Sequence, residues 1–213
     1  MNTGKVNKNN DFRNNWPGWE NLPPQGKLEG NTGLHPNYQK IIHDLVKECQ
    51  PKTIVEIGFN AGHGACCMLA AAPEGVQFHS FDIGRHGYEQ NGLNALSSIY
   101  DITLTLGPSK DTVPSYLSKN NVEIDFAFID GCHGGGRNKC CANLPPQLRC
   151  PYIDIDNCKK YLAVGGIIFV DDMEICDVPT GYHNTDWTNY EDLTYIADNY
   201  PSEKPFRIMR RLK

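Results

Sequence analysis

Thr53-Ile54-Val55-Glu56-Ile57-Gly58-Phe59-Asn60-Ala61-Gly62-His63-Gly64 is an apolar run that stops at a glycine and restarts as a string of small residues. The β-branched stretch predicts a buried strand, and the small residues from Gly62 to Ala72 predict a helix packed closely on a sheet. Glycines at the turn between them let backbone approach a ligand. A dinucleotide-binding turn needs G-x-G-x-x-G, and neither frame fits: Asn60 takes the second glycine position of one and Cys67 the third of the other. The spacing is E-x-G-x-x-x-G, a wider turn with room for a bulky zwitterion rather than a pyrophosphate.

Working outward, the same alternation continues. Tyr38, Ile41, Ile42, Leu45 and Val46 recur at helical spacing upstream of the turn. Downstream come a strand over Val76 to Asp82, a helix near 88–99, a strand over Thr103 to Leu106, a helix near 110–119 and a strand over Ile124 to Asp130. A helix over about Tyr152 to Leu162, a strand over Ile167 to Asp171, a loop carrying Tyr182, His183 and Trp187, a helix near 188–199 and a strand near 205–212 complete it. Such a βαβ series with right-handed crossovers predicts an α/β fold, a doubly wound, mostly parallel sheet with helices on both faces. Only one clear strand follows Trp187, so the sheet has six or seven strands.

Two segments break the pattern. Residues 1–36 are rich in Asn, Gly and Pro and predict an irregular arm. Its Trp16 and Trp19 are expected to fold back onto the domain, as packing in preference to a lid. The stretch at about 131–151, with consecutive glycines and paired cysteines and prolines, is an insertion of the length that usually serves function. The remaining residues, 37–213, form one domain.

The 213 residues carry a formal charge of −5. That balance argues against a phosphate-tracking surface, and Arg207, Arg210, Arg211 and Lys213 are read as the solvated face of a last strand rather than a nucleic-acid patch. No apolar stretch reaches the ~20 residues of a membrane helix. The polar N-terminus is unlike a signal peptide, so no membrane partner and a cytoplasmic location are expected. Nine cysteines without a paired C-x-x-C fit free thiols. A zinc site among Cys132, His133, Cys140, Cys141 and Cys150 matches no common spacing.

Glu56-x-Gly58, Gly62, the strand-ending Asp82 of Ser80-Phe81-Asp82-Ile83, Leu106-Gly107-Pro108-Ser109 and the strand-ending Asp130 together resemble the class I S-adenosylmethionine-dependent methyltransferases over about residues 40–172. The resemblance implies that Glu56, Gly58, Asn60 and Gly62 hold the amino-acid end of S-adenosylmethionine. It places Asp82 on the ribose hydroxyls, where a carboxylate can accept two hydrogen bonds. Ser109 would border the adenine, and Asp130 would close the cofactor site.

Asp130-Gly131-Cys132-His133, followed by Gly165-Gly166 and Asp171-Asp172, is similar to the metal-dependent sugar O-methyltransferases, such as those that methylate macrolide sugars. That likeness implies Asp130, Asp171 and Asp172 as Mg²⁺ ligands and His133, with Asp130, as the catalytic pair. Hard oxygen ligands in this number suit Mg²⁺ or another hard divalent ion. It implies an acceptor hydroxyl on a sugar, glycan or glycoside. A fainter likeness to glycan-modifying methyltransferases of large DNA viruses adds deoxysugars such as rhamnose, and a host cytoplasm.

A catechol-type O-methyltransferase with a phenolic acceptor is the alternative, although its base is commonly a lysine. A non-catalytic cofactor-binding protein on the same fold would be expected to lack the turn or the acids. Asp125, Asp154 and Asp156 are each expected to be structural, a strand-end residue capping the next turn. His63 is expected to pack or touch cofactor without a catalytic part. The acceptor and the oligomeric state stay open, a homodimer among the options.

Overall fold

The computed structural model describes residues 11–25, 28, 32–132, 145–175, 177–199 and 204–213. Strands β1 (Thr53–Ile57), β2 (Gln77–Asp82), β3 (Ile102–Leu106), β4 (Ile124–Ile129), β5 (Leu162–Val170), β6 (Tyr190–Asp192) and β7 (Arg207–Arg211) form one sheet in the order β3-β2-β1-β4-β5-β7-β6. The first five are parallel, and β7 runs antiparallel to both β5 and β6. The count is therefore seven. Helices α1 (Pro36–Cys49), α2 (His63–Leu69), α3 (Glu89–Ser97), α4 (Ser109–Asn120), α5 (Cys150–Tyr161) and α6 (Val178–Asn184) cover its faces.

The central strands are buried on both sides, as strands covered by helices must be, and successive residues feed two different cores. Ile54, Phe126, Phe128, Ile167 and Phe169 enter the core that holds Tyr38, Ile41 and Leu45 of α1 and the small residues of α2. Val55, Ile57, Ala127, Ile129, Ile168 and Val170 enter the other, with Leu117 of α4 and Ile155 of α5. The period-two pattern of each strand thus serves both layers.

Two local expectations are corrected. The helix expected near 188–199 is instead β6 followed by a 3₁₀ turn over Thr194–Asn199. Tyr190, Leu193 and Ile196 imitate a helical repeat, but Tyr190 closes a turn onto the Trp187 carbonyl and the Asp192 carboxylate accepts the Thr194 N–H, which ends the strand. Pairing with β7, including the ion pair of Glu191 with Arg210 at 2.5 Å, fixes the edge. Conversely, the loop carrying Tyr182 and His183 contains α6, started by Pro179 in its first turn.

The arm runs as short 3₁₀ turns, and its Trp16, Trp19 and Leu22 lie in the first core. Arg13 fastens it: its guanidinium pairs with Asp11, donates to the Gly33 carbonyl at 2.6 Å and Gln39 at 3.0 Å, and stacks 4.7 Å from the Trp19 ring centre. Among the described residues no helix is long and apolar enough to cross a membrane.

Candidate active site

Register places the functional residues. Phe81, Ile57, Ile129 and Val170 lie in one row across β2, β1, β4 and β5. The next residue on each strand is Asp82, Gly58, Asp130 and Asp171, so four candidates come level at the carboxyl edge. The order of strands reverses between β1 and β4, and ligands of open α/β sheets bind in that crevice.

Backbone contacts make the row tight. The Gly58 N–H donates to the Phe81 carbonyl at 2.8 Å and the Asp130 N–H to the Ile57 carbonyl at 2.8 Å. Gly58 has φ +102°, and a Cβ there would lie 2.0 Å from the Asp130 carbonyl oxygen. Only glycine lets the ends of β1 and β4 meet. Beyond it, the Asp82 carboxylate accepts the Asn60 N–H at 2.8 Å and the Gly84 N–H at 2.9 Å, shaping the turn from β2 as well as that from β1.

Glu56 lies fully buried beneath the turn. Its Oε2 accepts the Ser80 hydroxyl at 2.5 Å, directly across the β1–β2 pair. Burial pushes the carboxyl up to about 8, against the pull of that hydrogen bond and aided by Asp130 and Asp82. Among the described residues, Glu56 Oε1 accepts no hydrogen bond and Thr32 Oγ1 has no partner. A Cβ on Gly64 would come within 2.8 Å of that Oε1, so the glycine leaves it open. Thr32, Gly58, Asn60, His63, Gly64 and Asp130 border one hollow over the turn. An ammonium, with three donors, suits these two oxygens, which lie 2.8 and 4.0 Å from the position of a Cβ on Gly64. Such a group ends the amino-acid part of S-adenosylmethionine, and the residues present fit it.

His63 packs edge-on to Trp19 at 5.3 Å, and burial, helped by Arg13, holds it down to about 4. A neutral, packed imidazole is the result. Ser109 opens α4, close to Asp154 of α5. Asp154 is no turn residue: it is buried, its carboxyl pushed up to about 7 by burial despite the Ser109 hydroxyl, and it lines a recess with Asp130, Gly131, Cys132 and Asp171. Asp125 does serve structure, accepting the Lys52 and Thr53 N–H groups at 2.8 and 2.9 Å, and Asp156 pairs with Lys160.

Asp130, Asp171 and Asp172 converge, with one carboxylate oxygen from each lying within 4.8 Å of the others. Asp171 and Asp172 sit just past β5, and Asp172 has φ +55°, a turn that brings both side chains to the same place. Asp171 Oδ1 accepts the Asp172 N–H at 2.7 Å. Burial and then Asp130 push the Asp171 carboxyl well up, while Lys204 pulls it down. Three hard oxygen donors suit a divalent ion such as Mg²⁺.

Lys204 was not anticipated. Its ammonium lies 2.5 Å from Asp171 Oδ2 and 2.9 Å from Asp172 Oδ1, and 5.1 Å from the Tyr38 ring centre. Burial opposes its charge, but the carboxylates of Asp130, Asp171 and Asp172 win and raise it, so it stays an ammonium. Nothing in the sequence marks a lone lysine before Pro205. Ser80, facing Glu56 from the next strand, did carry a signal, a hydroxyl inside an apolar strand.

His133 lies outside the described residues, as do Cys140, Cys141 and Cys176. Cys132 is exposed and Cys150 half-buried.

The methyltransferase domain model matches residues 55–173, more than half of the chain. The chain belongs to this methyltransferase family and has the class I S-adenosylmethionine-dependent methyltransferase fold. Among curated proteins none matches. Solved structures share the fold at low identity. An O-methyltransferase from Bacillus cereus, in complex with S-adenosylhomocysteine, is 14% identical, covering 91% of this chain and 86% of its own, with a TM-score of 0.62. TomG, an O-methyltransferase from Streptomyces achromogenes involved in tomaymycin synthesis, is 14% identical over 82% of this chain and 79% of its own, with a TM-score of 0.60. CalS11, a TDP-rhamnose 3′-O-methyltransferase of calicheamicin biosynthesis, is 16% identical over 81% and 76%, with a TM-score of 0.55.

Proposed function

We propose that this chain transfers a methyl group from S-adenosylmethionine to a sugar hydroxyl of a glycan or glycoside, with Mg²⁺ held by Asp130, Asp171 and Asp172. The observation that carries it is the single row that sets Gly58, Asp82, Asp130 and Asp171 level at the carboxyl edge. It brings a cofactor cradle and a cluster of hard donors side by side. The rhamnose acceptor of CalS11 supports a sugar as the substrate class.

The cofactor supplies an activated methyl as a sulfonium, and the ion supplies positive charge beside the acceptor oxygen. The protein does the rest. Glu56, with Thr32, takes the cofactor's ammonium, and Asp82 takes the ribose diol from a turn it already holds in place. Asn60 and Gly62 shape the amino-acid end, and Ser109 borders the base. Asp130 faces both centres and fixes their separation, which aligns oxygen and methyl for in-line transfer. A sugar hydroxyl is neutral near pH 7, so a general base must take its proton; His133, one residue past the described Cys132, is proposed for it. A histidine three residues after Asp130 favours the sugar reading over the catechol-type alternative, whose base is commonly a lysine.

Methyl transfer from labelled cofactor to a panel of mono- and disaccharides, with and without EDTA, tests this. The expected result is activity abolished by EDTA and restored by Mg²⁺, with Asp172→Ala reducing it at least about a hundredfold. Activity that survives both EDTA and Asp172→Ala would remove the metal, and transfer only to phenols would remove the sugar.

A further inference from the structure

The cluster proposed for the divalent ion already holds a cation of the chain's own. We propose that Lys204 is a built-in counter-ion that occupies the divalent-ion position in the resting protein and leaves it when the ion binds, an inference that rests on the metal reading above.

The geometry makes the two cations rivals. Asp171 Oδ1 already accepts the Asp172 N–H, which leaves Oδ2 the less engaged oxygen for a metal, and that is the one Lys204 holds at 2.5 Å. Asp172 Oδ1, the second oxygen facing the cluster, is 2.9 Å from the same nitrogen. Mg²⁺ takes its oxygens at ~2.1 Å, so an ion sharing those oxygens would sit within about 5 Å of the ammonium. Two positive charges would then share a buried pocket where screening is weak.

Charge counting agrees. Three carboxylates balance one divalent ion and the cofactor's sulfonium, and a retained ammonium would leave the loaded site one positive charge in excess. Without ion or cofactor the same carboxylates need a partner, because closely packed buried like charges are costly. Lys204 supplies it. It has a long, flexible stem and a neighbouring aromatic face, the Tyr38 ring, along which the ammonium can move. Pro205, the next residue, accepts the Met173 N–H through its carbonyl at 3.0 Å, so the backbone stays tied beside the cluster while the side chain swings.

Displacement would make metal uptake competitive, keeping the site closed to weakly bound cations. The test uses the full chain. Mg²⁺ is titrated calorimetrically into the wild type and Lys204→Met; the variant is expected to bind at least about tenfold more tightly, since its rival is gone. In parallel, wild-type lysines are reductively methylated with and without saturating Mg²⁺, and the peptide containing Lys204 is quantified by mass spectrometry. Lys204 is expected to be protected without the ion and labelled with it.

Equal affinities in the two proteins, or labelling of Lys204 that does not change with Mg²⁺, overturns the proposal and leaves the metal site standing. Tighter binding by the variant with unchanged labelling also overturns it, because the gain then reflects charge alone. Failure of both proteins to bind Mg²⁺ at millimolar concentration overturns the metal reading and this inference with it. The labelling arm needs no variant, so a poorly folding Lys204→Met leaves the proposal testable.

Discussion

Gly58 carries more of the fold than any other glycine of the turn. Its Cα faces the Asp130 carbonyl so closely that a methyl group would lie 2.0 Å from the oxygen, and its φ of +102° is foreign to side-chain-bearing residues. Gly58→Ala should therefore destabilise by at least about 3 kcal/mol in urea unfolding. Gly75→Ala is the matched control, also at positive φ but with open space around it, and should cost only about 1–2 kcal/mol. Equal costs would mean that backbone conformation, and not the junction of β1 with β4, demands the glycine. The residue type was legible from the E-x-G-x-x-x-G spacing, but the Asp130 carbonyl that demands it lies more than seventy positions on.

Helix α5 shows how burial turns an ordinary acid into a pH-dependent one. Asp154 is held up to about 7 and Glu56 up to about 8, both by desolvation first. In the unfolded chain they titrate near 3.9 and 4.3. Between those limits these two carboxyls bind more protons in the native state than in the unfolded one, so their contribution to stability falls as pH rises from about 4 to about 8 and then levels. His63, held down to about 4, contributes the opposite slope below about 6.5. Asp154→Asn should leave stability near pH 4 unchanged and raise it at pH 8 by up to about 4 kcal/mol. A difference between Asp154→Asn and the wild type that does not grow from pH 4 to pH 8 would contradict this. The core strands were legible from their apolar runs and bounding glycines. The edge was not: three residues of β6 are too few to show a period of two, and only pairing with β7 makes Tyr190–Asp192 a strand. Asp154 was misjudged for a similar reason, since its burial depends on α4 and the β4 end, which a linear pattern does not bring together.

At the scale of the whole molecule, a seven-stranded sheet sets the proposed cofactor cradle and an acidic cluster side by side along its carboxyl edge. The acids at strand ends were visible in the sequence because each closes an apolar run; Lys204 and Thr32 were invisible because they reach the site from distant segments, and Ser80 was marked only weakly, as a hydroxyl inside a strand. The account stands on the cradle formed by Glu56, Gly58, Asn60, Gly62 and Asp82. Calorimetric titration of the full chain with S-adenosylhomocysteine tests it most directly. One-site binding at micromolar to submillimolar affinity, weakened at least about tenfold by Asp82→Ala, is predicted. No binding at millimolar ligand, or binding indifferent to Asp82, would contradict it.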